Sequence, residues 1–394
     1  KKQTSFDDII SGVNSGNCAL FVDTLNIAFD IDIKGFKQRG IEKPENEVVI
    51  KGPHEAFVEN IRTNTSLLRR LTNNEKLIIE NTTVGKVTQT KCAICYIEDI
   101  TNSDLVAEVK YRINNLQVDS LLSSGELEQL ITNSNALGVP KILGSERPDT
   151  TVKHLLQGRV IVLVNGSPYA LIMPAILIDF LGSPEDTNLK TIFSNFIKRI
   201  RLIAAFFALL LPGLYVAVTS FHREILPTEL LYSILASRES VPFPVIFEIL
   251  IMEISFEVIR EASIRVPSTI GPTLGIVGAL VLGQAAVSAG IVSPILIIIV
   301  AITGISSFAI PDYSFSFHLR FFRFAFILLG FVSGFLGIGI GLFVYLTALC
   351  DQESFGVPYT TPYAPNVLSK NNNYLLAPIW KREFRQSFLS SKKE

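Results

Sequence analysis

The sequence predicts an α/β soluble domain followed by an α-helical polytopic membrane domain of about four transmembrane helices and one amphipathic helix. The main observation is that residues 266–311, a run of 46, contain no Asp, Glu, Lys or Arg. Two further uncharged stretches, 202–221 and 324–350, are also long enough to cross a bilayer, because about 20 apolar residues span its hydrocarbon core. Charged residues are evenly spread before residue 198 and sparse after it. We therefore predict three regions: an α/β domain at 1–198, a transmembrane domain at 199–350 and a tail at 351–394.

Composition excludes several classes of protein. The chain has 394 residues, a formal net charge of −1 and a mean hydropathy of +0.39. The balanced charge gives no indication of nucleic-acid binding. The four cysteines are scattered along the chain and do not form the spacing of a disulfide framework.

The first 198 residues alternate between strand and helix patterns. Apolar runs at 18–22 and 27–33 predict a pair of strands, and the alternation at 84–97 predicts another strand. Helical spacing of apolar residues predicts helices at 53–71 and 104–116. Further elements are predicted in order: a short helix at 124–131 capped by Ser123 or Ser124, a hairpin at 159–173 turning at Asn165-Gly166, and a helix leading into the membrane from about Asn188.

The second half of the chain contains four predicted membrane spans and one different segment. The spans are about 202–221, 273–290, 292–310 and 324–349. Segment 243–265 is apolar but carries one stripe of charged residues, formed by Glu253, Glu257, Arg260 and Glu261. We interpret it as an amphipathic helix that lies at an interface or lines an aqueous or protein-filled interior. Its charged stripe is either a cation-attracting vestibule, an inter-subunit salt-bridge belt, or a face that meets headgroups and water.

Basic residues predict the orientation of the spans, because they are enriched in cytoplasmic loops. Basic residues precede the first span and recur in the tail: Lys190, Lys198, Arg199, Arg201, Lys381, Arg382, Arg385, Lys392 and Lys393. Both ends are therefore predicted to be cytosolic, which requires an even number of crossings. Four crossings, with 243–265 not crossing, satisfy this, but Arg320 and Arg323 would then flank an outer loop, against the same rule. If 243–265 does cross, the tail lies outside.

The predicted span at 273–290 has a mixed face and many small residues. Val277, Val281, Gln284 and Ser288 share one face, and small residues recur at positions 271, 275, 278/279, 283 and 286. The face shared by these four residues is a candidate pore lining, because an apolar constriction formed by the valines is followed by the polar groups of Gln284 and Ser288. The alternative is ordinary helix packing in lipid, which small residues also favour. The GxxxG pairs Gly330/Gly334 and Gly337/Gly341 likewise indicate helix contact or oligomerisation.

Enzymatic motifs are missing from the sequence. It contains no GxSxG, HExxH or GxxxxGK[ST] pattern, and its four histidines are far apart. Cys92 and Cys95 form a single CxxC pair, whereas a zinc site needs two more ligands. We therefore predict a non-enzymatic protein with no catalytic residues, no cofactor and no metal site.

Five segments, in order along the chain, together resemble the A-subunit family of GerA-type spore germinant receptors. They are RGIEKPENEVVIKGPHEAFVEN (39–60), GRVIVLVNGSP (158–168), GQAAVSAGIVSP (283–294), SSFAIPDYS (306–314) and SFGVPY (354–359). The resemblance extends over nearly the whole chain. It implies a protein of the inner membrane of the bacterial endospore, with the N-terminal domain in the cytosol. This location agrees with the orientation predicted from the basic residues.

The resemblance also implies partners and an activity. Such A subunits work with a transporter-like B subunit and a lipoprotein C subunit, and are thought to form a homo-oligomer that conducts monovalent cations and triggers germination. On this reading Val277, Val281, Gln284 and Ser288 lie on the pore side.

Three alternatives stay open. One is an amplifying germination channel that is not itself a nutrient receptor, and the matched segments are common to both. The others are a membrane-anchored scaffold and a secondary transporter. A transporter typically has inverted repeats and ionisable residues within the membrane. No repeat is visible in this sequence, and only 243–265 is ionisable.

Overall fold

The computed structural model describes residues 2–6, 9–10, 18–23, 25, 27–31, 40–132, 137–265, 271–366, 375–378, 380 and 389. The chain forms two compact units, Lys1–Ile41 and Glu42–Glu394. The first unit contains a three-stranded antiparallel sheet of β1 (Lys2–Gln3), β2 (Cys18–Phe21) and β3 (Ala28–Ile31), in the order β1-β3-β2. Pairing of β2 with β3 confirms the strand pair predicted at 18–22 and 27–33 within the described residues.

The second unit begins with a five-stranded antiparallel sheet in the order β4-β5-β7-β8-β6. Its strands are β4 (Leu77–Val84), β5 (Thr90–Ile97), β6 (Leu143–Ser145), β7 (Val160–Val164) and β8 (Ala170–Met173). Four helices cover it: α1 (Ile61–Thr72), α2 (Ser103–Asn114), α3 (Ser124–Ile131) and α4 (Pro148–Leu156). Side chains of α1 and α4 share one hydrophobic cluster with the sheet, and those of α2 and α3 share the other. The antiparallel sheet is therefore buried between two helical layers.

Several predicted elements are confirmed. The helices predicted at 104–116 and 124–131 are α2 and α3, and the Ser123 hydroxyl caps α3 by accepting from the Glu126 amide. The hairpin predicted at 159–173 is β7 and β8, with Gly166 in the turn at a φ of +91°.

Two predictions place element boundaries wrongly. The helix predicted at 53–71 begins only at Ile61, because the Asn60 side chain accepts from the amides of Arg62 and Thr63 and so caps it there. The strand predicted at 84–97 is the end of β4, a turn, and β5. The chain reverses between them, where Gly85 has a φ of +92°.

Most of the described residues from 191 to 350 are in six helices. The helices are α5 (Thr191–Ser220), α6 (Thr228–Arg238), α7 (Val245–Arg265), α8 (Gly271–Ser288), α9 (Pro294–Phe308) and α10 (Tyr313–Cys350). By length and composition, two of those in the described part of the chain could cross a membrane, α5 and α10, and α9 is a shorter apolar helix. The predicted count of four crossings is therefore not confirmed.

Helix α10 is folded back on itself. Gly334 has non-helical backbone angles, with φ 61° and ψ −139°, and divides α10 into a first arm (313–333) and a second arm (335–350). His318 and Tyr345 lie on different arms, yet His318 Nε2 and Tyr345 Oη are 2.9 Å apart. In a straight helix, 27 residues would separate them by about 40 Å. The span predicted at 324–349 is thus not one continuous helix, because glycine allows the reversal at residue 334.

The helices run alternately away from the α/β domain and back towards it. Phe315, at the start of the first arm, stacks on Phe180 of the domain, and Arg201 of α5 pairs with Asp186 at 2.6 Å. We call this end of the helical bundle the proximal end. Gly334 lies at the opposite, distal end, against His222, which follows α5. Accordingly α5, α8 and the first arm run away from the domain, while α7, α9 and the second arm return.

The segment after α10 packs against the α/β domain. It forms a short hairpin of β9 (Glu353–Ser354) and β10 (Val357–Pro358). Ser354 Oγ donates to the Lys141 carbonyl and accepts from the Ala175 amide, and the buried ring of Tyr359 contacts Phe180. The described beginning of the predicted tail is therefore attached to the domain, and the predicted boundaries at 198 and 350 stay predictions.

Glycines allow a close contact between α5 and the first arm of α10. A Cβ on Gly330 of the first arm would lie 2.5 Å from the Gly213 carbonyl oxygen of α5, which is closer than atoms can approach. The predicted GxxxG contact at Gly330 is thus made within the chain, between α10 and α5.

We predict that Gly330→Ala destabilises the bundle by about 1–3 kcal/mol, because the methyl group forces the backbones of α5 and α10 apart. Thermal unfolding of the detergent-solubilised protein measures this. Gly339→Ala is the matched control, since no atom lies within 4 Å of the added Cβ. Equal melting temperatures for the two variants would contradict the prediction.

Candidate functional site

Helix α7 has its apolar side outside and its charged side inside. Phe247, Ile251, Ile254 and Val258 are exposed, whereas Glu253 is only 2% exposed. This is the reverse of a helix on the surface of a water-soluble protein. It is the arrangement of a helix whose outer face meets lipid and whose ionisable groups face a protein interior.

The inward carboxylates form ion pairs with the first arm of α10. Glu253 pairs with Arg323, and Glu257 pairs with Arg320. Both guanidiniums are only 3% exposed, while the Glu257 side chain is 36% exposed. Because α7 and the first arm are antiparallel, residues one turn apart on α7 meet residues about one turn apart on α10. We call Glu253, Glu257, Arg260, Arg320 and Arg323 the charge network.

The remaining charged residues of the predicted stripe have different surroundings. Arg260 Nη2 donates to Ser307 Oγ at 2.7 Å, and the guanidinium lies 4.3 Å from the centroid of the Phe308 ring. Glu261 instead pairs with Arg265 one turn along α7, at 2.6 Å, and both side chains are exposed. The structure therefore brings Glu253, Glu257 and Arg260 together and leaves Glu261 outside the network.

Sequence reasoning did not identify Arg320 and Arg323 as partners of the stripe. Their partners lie more than 60 residues away along the chain, so no local pattern connects them. A signal was nevertheless present, since these two arginines did not fit the orientation predicted from basic residues. In the structure they lie in the proximal half of the bundle, on the side of the α/β domain.

The proposed pore face of α8 is open in the single chain. Val281 is 59% exposed, and Gln284 and Ser288 are also exposed, while the side chain of Val277 lies outside the described residues. The opposite side packs through small residues: a Cβ on Gly278 would meet Ile259 of α7 at 3.8 Å, and one on Gly283 would meet Ile297 of α9 at 3.4 Å. The packing face and the candidate pore face are therefore two different sides of one helix.

A second polar cluster lies at the distal end of the bundle. The fully buried Glu248 of α7 pairs with Arg238 of α6 at 3.2 Å and accepts from the Ser293 amide at 3.1 Å. Ser293 is the N-cap residue of α9, so the carboxylate meets the positive end of that helix. This contact joins α6, α7 and α9 where the chain turns.

The two cysteines of the CxxC pair are buried on opposite faces of the sheet. Cys92 belongs to the cluster beneath α2 and α3, and Cys95 to the cluster beneath α1 and α4. Burial raises the pKa of each thiol to about 12. Because residues three apart on a strand point in opposite directions, these two thiols cannot bind one metal ion together.

Carboxylates also anchor the segment before α1, which contains much of the first matched motif. Glu146 accepts from the amides of Glu45, Asn46 and Glu47, the shortest bond being 2.7 Å. In return Glu47 accepts from the Ser145 hydroxyl and the Glu146 amide. Burial raises the pKa of Glu47 to about 7, and repulsion from Glu146 contributes. The segment is thus held on the sheet edge by a carboxyl group that titrates near neutrality.

The comparison with protein families is decisive for this chain. A family model described as Bacillus/Clostridium GerA spore germination protein matches residues 1–388. The chain belongs to the GerA family. This confirms the resemblance predicted from the five motif segments and assigns the chain to a family of spore germination proteins.

Individual members of the GerA family are similar over most of the chain. Spore germination protein KA of Bacillus subtilis (strain 168) is 40% identical over 391 residues, which cover 99% of this chain and 72% of that protein. Spore germination protein GerLA of Bacillus cereus is 38% identical over 383 residues, which cover 97% of this chain and 76% of that protein. Among solved structures, the crystal structure of the N-terminal domain of the A subunit of the Bacillus megaterium spore germinant receptor GerK3 matches with 39% sequence identity and a TM-score of 0.26. The match covers 31% of this chain and 97% of the crystallised chain.

We predict that Glu253→Gln destabilises this GerA-family protein by about 3–5 kcal/mol, because it leaves the buried Arg323 guanidinium without a counter-charge. Unfolding of the solubilised protein measures the loss. The charge-swapped double variant Glu253→Arg/Arg323→Glu should recover part of it. Glu261→Gln, an exposed position on the same helix, should have little effect. An equally mild effect of Glu253→Gln would contradict the assigned pair.

The raised pKa of Glu47 predicts a pH dependence. Burial favours the protonated form of the Glu47 carboxyl, whose pKa is about 7 in the folded protein instead of 4.5. Its contribution to stability is therefore full below the unfolded pKa and is lost as the pH rises through about 7. Glu47→Gln keeps the hydrogen-bond acceptor without the charge, so we expect unfolding midpoints that vary less between about pH 5 and pH 8.

The exposed Glu45→Gln, in the same segment, is the control for the Glu47 experiment and should keep the wild-type pH profile. If Glu47→Gln follows the wild-type profile as well, the pH dependence does not come from Glu47.

Proposed function

We propose that this chain is the membrane subunit of a nutrient germinant receptor in bacterial spores, and that it oligomerises into a cation channel that triggers germination. The observation that carries the proposal is the arrangement of α8. Its small-residue side packs on α7 and α9, while Val281, Gln284 and Ser288 are left exposed together. An apolar side chain followed by two polar ones suits a narrow pore that several copies of one helix line.

The proposed location is the inner membrane of the endospore, with the α/β domain in the cytosol. Membership of the GerA family supports a location in the spore, and the two long apolar helices support a location in a membrane. The orientation is supported by the position of Arg320 and Arg323 on the side of the domain, together with the basic residues before α5. Since the chain leaves the domain and returns to it after α10, the number of crossings is even in this proposal.

The proposed partners are a transporter-like B subunit, a lipoprotein C subunit, further copies of this chain, the lipid bilayer and monovalent cations. They are proposed because the chain belongs to the GerA family and its relatives are spore germination proteins. In the proposed mechanism a nutrient binds the partner subunit and shifts a closed–open equilibrium. A shift from mostly closed to mostly open requires on the order of 5 kcal/mol of differential binding, which several identical subunits share. No catalytic step is involved.

We predict that Val281→Ala increases cation conductance of the reconstituted receptor, because removing two methyl groups widens an apolar constriction. Conductance is measured in planar bilayers, with oligomer size checked on the same sample. The matched control is Val332→Ala, an exposed valine on the first arm of α10, which should conduct like the wild type.

Two results would overturn the pore assignment. One is wild-type conductance from well-assembled Val281→Ala and Gln284→Ala proteins. The other is an assembled wild-type complex that conducts no ions even with its partners present, which would favour a membrane-anchored scaffold.

A further inference from the structure

The charge network contains more positive than negative groups. Its three guanidiniums, Arg260, Arg320 and Arg323, meet two carboxylates, Glu253 and Glu257. Each carboxylate forms an ion pair with an arginine of α10. Among the described residues, none offers Arg260 a carboxylate at ion-pair distance. The network therefore carries one uncompensated positive charge if both glutamates are ionised.

The contacts that Arg260 does make are neutral. Its Nη2 donates to the Ser307 hydroxyl at 2.7 Å, and its guanidinium covers the exposed ring of Phe308. A hydroxyl and a ring orient the guanidinium without neutralising it. Since the Arg260 side chain is only partly buried, it can be approached from outside the bundle.

Neighbouring arginines supply further hydrogen-bond donors without a partner. Arg320 Nε, Arg323 Nε and Arg323 Nη2 have no acceptor among the described residues, although both side chains are 97% buried. Guanidinium donors form a planar fork whose geometry matches the oxygens of a phosphate or carboxylate. Glu253 Oε1 also has no donor among the described residues, so the unused Nε of Arg320 and the unmatched charge of Arg260 are the two observations that indicate an anion.

The surroundings of the arginines indicate where the anion comes from. Tyr313 and Phe317 are exposed and lie against Arg320, with ring centroids at 5.8 and 5.1 Å from its guanidinium carbon. With Phe308 they form an aromatic rim at the proximal end of the bundle. Exposed tyrosines such as Tyr313 are enriched at the level of lipid headgroups. Basic pockets between helices on the cytoplasmic side are typical sites for anionic headgroups.

We propose that Arg260, together with Arg320, binds the phosphate of an anionic phospholipid at the junction of α7, α9 and α10. The proposal rests on the membrane placement proposed above and goes beyond the channel activity. The bound phosphate neutralises the excess charge, and the aromatic rim contacts the glycerol and upper acyl region of the same lipid. In this proposal the subunit prefers anionic lipids, and the lipid site is separate from the candidate pore face on α8.

The test measures which lipid the full chain retains. Purified protein is reconstituted in nanodiscs of phosphatidylcholine with a minority of phosphatidylglycerol, and co-purifying lipid is quantified by mass spectrometry after exchange into detergent. Wild-type protein should be enriched in phosphatidylglycerol. Arg260→Gln should lower that enrichment about fivefold, since one basic residue near an anionic surface contributes about 1 kcal/mol. Arg260→Lys, which keeps the charge but not the fork, should lose less.

Arg265→Gln is the matched control, because Arg265 lies on the same helix, is exposed and is paired with Glu261. It should retain phosphatidylglycerol like the wild type. Equal retention of the two lipids by the wild type, or undiminished enrichment in Arg260→Gln, would overturn the proposal. If inorganic phosphate displaces the lipid, the site binds a soluble anion instead. Smaller oligomers of Arg260→Gln with unchanged lipid would assign Arg260 to a contact with a second copy.

The lipid measurement and the conductance measurement test two separate proposals, and either proposal can be overturned without the other. A chain that retains phosphatidylglycerol but conducts no ions overturns the proposed channel and leaves the lipid site in place. A conducting chain without lipid preference overturns the lipid site alone.

Discussion

The burial of ionised side chains among apolar helices is the constraint on which the rest of the helical bundle depends. A carboxylate at this depth is tolerated only beside a counter-charge, so Glu253 and Glu257 must face Arg323 and Arg320. These pairs determine both the rotation of α7, with its apolar residues outward, and its register against α10. Helix α8 then packs on α7 through Gly278, so the position of its exposed face follows from the charge pairs.

The folded-back helix α10 connects this network to the α/β domain. Its first arm carries both arginines and begins beside Phe180, and its second arm returns to the hairpin that Ser354 attaches to the sheet. The hydrogen bond between His318 and Tyr345 holds the two arms together. The first arm, the ion pairs and α7 therefore form one continuous set of contacts with the domain, of the kind that can carry coupling between distant sites.

Local patterns were sufficient for much of the fold. Helices α2 and α3 and the hairpin of β7 and β8 lie where apolar periodicity, an N-cap serine and an Asn-Gly turn predict them. Errors occurred where a single residue ended or reversed an element. Asn60 caps a helix that periodicity alone would extend, and Gly334 reverses a stretch whose uniform apolarity predicts a single span. The candidate pore face on α8 could be read from helical spacing, but the partners of the charged stripe could not.

By itself, the sequence determined the class of this protein. The uncharged run at 266–311, the change in charge density near residue 198 and the five ordered motifs indicated an α/β domain joined to apolar helices in a GerA-family chain. Only the tertiary structure decided which way α7 faces, that α10 turns back at Gly334, and that Arg320 and Arg323 lie on the domain side. Hydrophobicity and local propensity act over a few turns and can be read along the chain. Ion pairing inside the bundle acts between residues more than 60 positions apart and exists only once the helices are packed.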